Sequence, residues 1–284
     1  ETMILVAGAT GKVGRELVME LKIRRTAFKV LVRDPVKANA LLGPVDCVHG
    51  DFNAPHALEK SLAGAQAAFL LSPADPRMAA WQTAFARAAK KAGVKRLVKV
   101  SALGADARSP LALGRWHGEI EEEIRRLAVP FVMLQPAYFY QNLLGLAPLI
   151  LRGVLPGPMG TARFAMVDAR DVAAAAAEAL AKPGHDGKTY VLTGPVALSY
   201  SEAAATLSKV LGRPVAYSDT PPAAAREHML AGGFPAWRAD ALLELAASLR
   251  SGKADLATDE VKTLTGRAPI AFESFVRSYK SSFG

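Results

Sequence analysis

The chain has 284 residues, of which 51% are hydrophobic, and a formal net charge of +9. This size and composition fit one large or two small globular α/β domains and exclude general disorder. The basic residues are scattered, and no apolar run is long enough to cross a bilayer, so neither a nucleic acid nor a membrane is an expected partner.

A single cysteine, Cys47, leaves no disulfide framework and no cysteine cluster for a metal. The histidines also lack the spacing of metal ligands, so no metal is predicted. Because no charged-then-apolar leader is recognisable, we expect a reducing compartment, most simply the cytoplasm.

The first predicted unit is a strand, a tight turn and a helix. The apolar run Ile4 to Ala7 ends at Gly8, glycine recurs at Gly11 and Gly14, and apolar residues then return at helical spacing. The first glycine allows a sharp turn, the second a close approach of backbone to ligand, and the third packing of helix on strand. A helix N-terminus also offers free N–H groups to an anion. The residues predicted to hold a dinucleotide pyrophosphate are Gly8, Ala9, Thr10, Gly11, Lys12, Val13 and Gly14.

The second predicted strand, Phe28 to Val32, ends where a dinucleotide fold places the adenosine ribose. An acid at this point selects NAD, whereas an arginine can pair with the 2′-phosphate of NADP. Arg33 follows the strand directly, and Asp34 is the competing feature, although it also suits a turn before Pro35. The sequence therefore predicts NADPH in preference to NADH, with Arg33 on the 2′-phosphate.

Three further strands are predicted at Val45 to His49, Ala67 to Leu71 and Leu97 to Val100. After the first of these, Asp51 suits a turn and Asn53 suits the N-cap of a helix. Strands alternate with helices, which indicates an α/β fold with a doubly wound parallel sheet. Ligands bind at the carboxyl ends of such strands, so Leu71, Ser72 and Ser101 are predicted cofactor contacts.

A helix predicted over Leu111 to Leu127 carries His117 and Glu121 four residues apart, on one face. The functional interpretation is an imidazole held by a carboxylate and aimed into the cleft as an acid. The alternative is a surface ion pair on an acidic helix.

A sixth strand, Pro130 to Leu134, leads into a run of amides and aromatic residues that ends at Asn142. Such side chains can wall a nicotinamide and orient a carbonyl or quinone ring, although they can also simply pack a loop. Predicted cofactor contacts here are Gln135, Pro136 and Ala137, and predicted substrate contacts are Tyr138, Phe139 and Asn142. His117 and Tyr138 are the candidate catalytic acids.

These motifs occur in the order typical of a known family. The glycine turn, Gly50-Asp51, the His117-to-Glu121 helix, the Pro136-to-Asn142 loop and Val167-Asp168-x-x-Asp171-Val172 together resemble the NmrA-like branch of the atypical short-chain dehydrogenases. The chain is similar in particular to NADPH-dependent quinone oxidoreductases and triphenylmethane-dye reductases. The resemblance implies a Rossmann-type sheet with a smaller, mostly helical C-terminal substrate cap, and it implies that Asp51 and Phe52 border the adenine.

The resemblance also predicts the domain boundaries. Residues 1–155 are expected to form the NAD(P)-binding domain and 156–284 the C-terminal region. Within the latter, 164–193 are expected to rejoin the Rossmann sheet and 195–284 mainly to form the cap.

One departure separates the chain from ordinary short-chain dehydrogenases, because it has no Tyr-x-x-x-Lys. Quinones and cationic dyes are strong hydride acceptors, so positioning and stacking can supply most of their catalysis. The first hypothesis is therefore an NADPH-dependent reductase of a small electrophilic acceptor. The second is a non-catalytic NmrA-type sensor that binds the dinucleotide and reports to a regulatory protein partner. A homodimer is compatible with either.

Overall fold

The computed structural model describes residues 2–252 and 254–284. The strands are β1 (Ile4–Ala7), β2 (Phe28–Val32), β3 (Cys47–His49), β4 (Ala67–Leu70), β5 (Arg96–Val100), β6 (Phe131–Pro136), β7 (Tyr138–Phe139), β8 (Val154–Gly157), β9 (Arg163–Val167), β10 (Lys188–Leu192), β11 (Ala197–Ser199) and β12 (Ala216–Asp219). The α-helices are α1 (Lys12–Ile23), α2 (Pro35–Leu42), α3 (Pro55–Leu62), α4 (Met78–Lys91), α5 (Ala112–Arg126), α6 (Ala147–Leu151), α7 (Ala169–Ala181), α8 (Tyr200–Leu211), α9 (Pro222–Ala231), α10 (Ala236–Arg250), α11 (Glu260–Thr265) and α12 (Phe272–Ser278). Short 3₁₀ helices cover Tyr140–Leu146 and Lys280–Ser282.

The first compact unit is built on a sheet with the strand order β10-β6-β5-β4-β1-β2-β3. The pairs from β6 through to β3 are parallel. One face packs against α3, α4 and α5, and on the other α7 contacts β4, β5 and β6 and also packs against α1. The strands are short apolar runs because both faces are covered. The predicted α/β, doubly wound fold is confirmed.

Helix α7 shows why a run of alanines suits this fold. Ala173 to Ala177 are all buried, and small side chains let the helix lie close to both the sheet and α1. At the end of α1, the Arg24 guanidinium reaches the Glu178 carboxylate at 2.8 Å.

The second compact unit contains a three-stranded sheet, β11-β9-β7, and a two-stranded sheet, β12-β8. Its core combines aliphatic side chains with aromatic ones, among them Tyr140, Phe164, Tyr200, Phe272 and Phe275. Helix α8 begins with a capping box. The Ser199 hydroxyl accepts from the Glu202 N–H at 3.2 Å, and the Glu202 carboxylate accepts from the Ser199 N–H at 2.8 Å.

The boundary between the units differs from the predicted one. The first unit runs to Pro136 and takes up Ala169–Val191, and the second comprises Ala137–Asp168 and Leu192–Gly284. The chain leaves the first unit early because β7 pairs with β9, placing Tyr138 opposite Met166. The expectation that Phe164 to Val167 rejoin the main sheet is wrong, since β9 pairs only with β7 and β11 among the described strands. No helix within residues 2–252 and 254–284 combines the length and hydropathy needed to span a membrane.

Candidate functional site

The turn between β1 and α1 has a shape that only glycine can supply. Gly8 has a φ of +75°, and a Cβ on it would lie 2.4 Å from the Leu71 carbonyl oxygen. A Cβ on Gly14 would lie 2.1 Å from the Gly8 carbonyl oxygen, which shows how closely α1 packs on the end of β1. The Gly11 N–H donates to that same oxygen at 3.0 Å and closes the turn. The predicted roles of Gly8 in a sharp turn and of Gly14 in the packing of helix on strand therefore have a visible physical basis.

The N-terminus of α1 suits an anion. Gly11 occupies the N-cap without a side-chain hydrogen bond, and the first turn contains no acidic residue. Thr10, Gly11 and Lys12 are exposed at this end, whereas Ala9 and Val13 are buried and anchor the turn. The positive end of the helix dipole and its N–H groups thus face outward with no acid beside them, which fits a pyrophosphate.

Arg33 and Asp34 at the end of β2 have different surroundings. The Asp34 carboxylate caps α2 by accepting from the Lys37 N–H at 3.0 Å. Arg33 is exposed, and no described residue forms an ion pair with its guanidinium. The acid is therefore occupied as a helix cap, and the cation is available for a phosphate.

The segment after β3 matches the sequence expectation at Asp51 and departs from it at Asn53. Asp51 accepts from the Asn53 N–H at 2.8 Å, which is the turn-forming role. Asn53 is not the N-cap of α3, because Ala54 holds that position and the Asn53 side-chain oxygen accepts from Trp81 Nε1 at 3.0 Å. Phe52 stacks on Trp81 with ring centroids 6.4 Å apart, so this loop is tied to α4.

Two serines lie at the carboxyl ends of neighbouring strands. The Ser72 hydroxyl donates to the Pro73 carbonyl at 3.1 Å and accepts from Gln82 Nε2 at 2.9 Å. The Ser101 Oγ is buried and has no hydrogen-bond partner among the described residues. A buried hydroxyl without a partner is costly, so its presence at the ligand-binding edge fits a bound polar group.

Gln135 is the second-last residue of β6 and is held by a charged pair. Its Nε2 donates to Glu121 at 2.9 Å, and the other oxygen of that nearly buried carboxylate accepts from Arg125 at 2.9 Å. The backbone of the next two residues is also hydrogen-bonded. The Pro136 carbonyl accepts from the Leu103 N–H, and the Ala137 N–H donates to the Leu192 carbonyl. The sheet edge is therefore rigid at this point.

His117 is held by a different residue from the one expected. Its Nδ1 lies 3.0 Å from the Nζ of Lys99, whereas Glu121 contacts Gln135 and Arg125. The predicted pairing of His117 with Glu121 is wrong, because Glu121 points toward the end of β6. Burial, and secondarily the Lys99 cation, holds the pKa of His117 well below its usual 6.5.

Lys99 is the residue that sequence reasoning missed. It is completely buried in β5, and burial lowers its pKa from 10.5 to about 7, while the Glu121 carboxylate opposes part of that shift. The signal was a lone lysine inside the apolar strand Leu97 to Val100. A charged side chain in a strand covered on both faces costs free energy, so its presence indicates a functional role.

The predicted acceptor residues lie in the second unit. Tyr138, Phe139 and Asn142 are each half-buried. The Tyr138 hydroxyl hydrogen-bonds with Tyr200 and Asn142, and its ring meets Phe164 edge-on at 5.8 Å. Burial raises the pKa of Tyr138 above its usual 10.0, so this phenol stays neutral at physiological pH.

Over the described residues, no group of three or more His, Cys, Asp or Glu side chains is placed to hold a metal ion.

The fold and the glycine turn define a dinucleotide-binding protein of the Rossmann type. More particularly, the chain belongs to the NmrA-like family, whose model matches residues 1–257. The resemblance seen in the sequence is thereby confirmed.

Three relatives are reductases by name. The chain is 38% identical to the NAD(P)H azoreductase of Xenophilus azovorans, over 99% of both chains. It is 29% identical to the NADPH-dependent quinone oxidoreductase of Escherichia coli solved with NADPH, with a TM-score of 0.88 over 98% of this chain and 100% of the other. It is 26% identical to the triphenylmethane reductase of Citrobacter sp. solved with NADP(H), with a TM-score of 0.85 over 97% and 99% of the two chains.

Proposed function

We propose that the protein is an NADPH-dependent reductase that transfers a hydride to a small electrophilic acceptor such as a quinone or a dye. The observation that carries the proposal is the glycine turn at α1, which is closed to every side chain larger than hydrogen at Gly8 and Gly14 and open to an anion at its tip. The names of the relatives, an azoreductase, a quinone oxidoreductase and a triphenylmethane reductase, support the acceptor class.

Residues at the carboxyl edge of the main sheet hold the cofactor. The turn from Gly8 to Gly14 takes the pyrophosphate, and Arg33 takes the 2′-phosphate. Asp51 and Phe52 border the adenine, and the nicotinamide side is flanked by Leu71, Ser72, Ser101, Gln135, Pro136 and Ala137. The unpartnered hydroxyl of Ser101 supports this last assignment most directly, since a bound polar group would satisfy it.

The acceptor lies against Tyr138, Phe139 and Asn142. The bound cofactor supplies the hydride, and the protein orients the acceptor, excludes water and delivers a proton. We assign proton delivery to His117 rather than to Tyr138, because the Tyr138 hydroxyl is already engaged by Tyr200 and Asn142 and its pKa is raised. A strong acceptor lessens the need for an acid, which accounts for a reductase without Tyr-x-x-x-Lys.

The test follows the loss of reduced-nicotinamide absorbance from NADPH, and separately from NADH, with a panel of quinones, azo dyes and triphenylmethane dyes. Arg33→Glu should impair the NADPH reaction much more than the NADH reaction. Lys95→Glu is the matched control, because it makes the same charge change at an exposed position just before β5, at the amino end of a strand. Measurable NADPH binding without turnover of any acceptor would overturn the reductase and favour the regulatory sensor.

A cytoplasmic location stays a prediction, as does assembly into a homodimer or with a regulatory protein. Cell fractionation tests the first, and light scattering of the purified protein tests its self-association.

A further inference from the structure

Lys99 and His117 form a contact that the fold holds firmly. The Lys99 side chain leaves β5 on the face covered by α5, between the positions of Leu70 on β4 and Met133 on β6. Its Nζ lies 3.0 Å from His117 Nδ1 and donates to the Val100 carbonyl at 3.1 Å.

Helix α5 is held in place by backbone packing next to His117. A Cβ on Gly118, the next residue after His117, would lie 2.1 Å from the Ala107 N atom, so the loop after β5 lies directly against the helix. The position of the imidazole is therefore set by backbone packing on one side and by the lysine on the other.

The charged groups around Lys99 and His117 determine which ring nitrogen of His117 carries the proton. Glu121 is the charged group that acts on Lys99, and its two oxygens are engaged by Gln135 and Arg125. An ammonium group can only donate, so His117 Nδ1 must accept when Lys99 is protonated. The ring proton then resides on Nε2, for which the described residues offer no hydrogen-bond partner, on a ring that is half-buried rather than enclosed.

We propose that Lys99 is a positioning residue that holds His117 as its Nε2–H form and resupplies the proton that His117 gives to the acceptor. This inference rests on the proposed reductase function. When a quinone acceptor has gained a hydride, the resulting anion takes the proton from Nε2. The Lys99 ammonium simultaneously passes a proton to Nδ1, so the imidazole stays neutral and lysine becomes an uncharged amine. One hydride and one proton have then been added to the acceptor, and the pair regains a proton from solvent through the exposed part of His117.

This route suits the chemistry of the two groups. Because the pKa of His117 is far below 6.5, an imidazolium is a poor resting state for this ring. Because the pKa of Lys99 is about 7, the lysine is still protonated near neutrality and releases its proton readily. A lysine with only a structural role would not stabilise this apolar strand by pairing with His117, because methionine would fill the same volume without burying a charge.

The first test needs no cofactor and no turnover. Long-range ¹H–¹⁵N NMR on the histidine-labelled free protein at about pH 6 distinguishes a ring protonated on Nε2 from one protonated on Nδ1. Wild type should show the Nε2–H form at His117, and Lys99→Met should lose that preference. Lys29→Met is the control, because the Lys29 ammonium is on β2 and reaches the Ala63 carbonyl at the surface. A Nδ1–H ring in wild type, or a ring unchanged in Lys99→Met, would overturn the inference.

The second test is the single-turnover rate with a weak quinone acceptor, measured against pH. The wild-type rate should fall as pH rises through about 7, because Lys99 loses its proton. Lys99→Met should be slower by about 100-fold and insensitive to pH in this range, with little change in the quinone concentration that gives half the maximal rate. Lys99→Arg should restore the Nε2–H ring in the NMR spectrum without restoring the rate, because arginine cannot release a proton.

The outcomes separate the two proposals. A wild-type protein that turns over, with equal rates and equal pH profiles in Lys99→Met, keeps the reductase and rejects the relay. A protein that binds NADPH without turning over any acceptor rejects the reductase and the relay together.

Discussion

Replacing Lys99 with methionine should raise the free energy of unfolding above that of wild type near neutral pH. This gain should become smaller as the pH rises. Lys99 is fully buried, and its pKa falls from 10.5 in the unfolded chain to about 7 in the native protein. Between those two values the unfolded state binds more protons than the native state. The free energy of unfolding of wild type therefore rises with pH across this window, and the methionine variant lacks that contribution.

The magnitude follows from the shift. Each unit of pKa corresponds to about 1.4 kcal/mol, so the Lys99 ammonium costs the native state about 5 kcal/mol at low pH. Below about pH 7 this cost is constant, and between about pH 7 and pH 9.5 wild type recovers about 3 kcal/mol of it. The choice of window keeps His117 neutral in both states, because its unfolded pKa is near 6.5 and its native pKa is lower.

The assay is urea denaturation of Lys99→Met and wild type at several pH values in this window. The quantity of interest is the difference in free energy of unfolding between the two proteins, because other titrating groups cancel in that difference. The advantage of the variant should fall by about 3 kcal/mol from about pH 7 to pH 9.5. Lys29→Met, which removes a surface ammonium, is the control for the loss of one positive charge. A pH-independent difference for Lys99→Met would mean that the lysine keeps its ordinary pKa, and it would refute the reasoning.

Three further substitutions test other parts of the molecule. Arg33→Glu should weaken NADPH binding by about 10- to 100-fold and NADH binding little, since charge-assisted bonds to the 2′-phosphate are lost; equal losses in calorimetric titrations with the two cofactors would contradict that role. Gly14→Ala would place a Cβ 2.1 Å from the Gly8 carbonyl oxygen, so it should weaken cofactor binding and lower the free energy of unfolding by about 1–3 kcal/mol. Gly145→Ala, with no atom within 4 Å of its Cβ, is the control, and equal effects from both glycines would be inconsistent with the packing described. Ser199→Ala removes the cap of α8 and should cost about 1 kcal/mol of stability in denaturant titrations without altering cofactor affinity.

Short-range patterns in the sequence were sufficient for much of the fold. The glycine turn with its flanking strand and helix, and the capping box at Ser199 and Glu202, are each defined by residues within a few positions of one another. Local geometry decides such features, so the sequence alone predicts them.

The errors come from partners that are distant in the chain or that compete. Asn53 could have capped α3, but Trp81 offered an indole N–H from another helix. Glu121 could have held His117, but Gln135 and Arg125 engage both its oxygens. Spacing along one helix shows which residues can meet, whereas the choice among possible partners depends on side chains brought in by other elements.

The first unit is formed by two separate stretches of the chain, and this affects when it can fold during synthesis. The buried face of α1, which includes Val13, Leu17 and Leu21, packs against α7, and α7 also covers β4, β5 and β6. A ribosome adds the residues between these two helices over a time on the order of ten seconds. Throughout that interval β4, β5 and β6 lack the helix that covers them on this face of the sheet. We therefore expect the nucleotide-binding unit to complete its folding only after β10 has left the exit tunnel, and a fragment ending at Pro136 to aggregate rather than to fold.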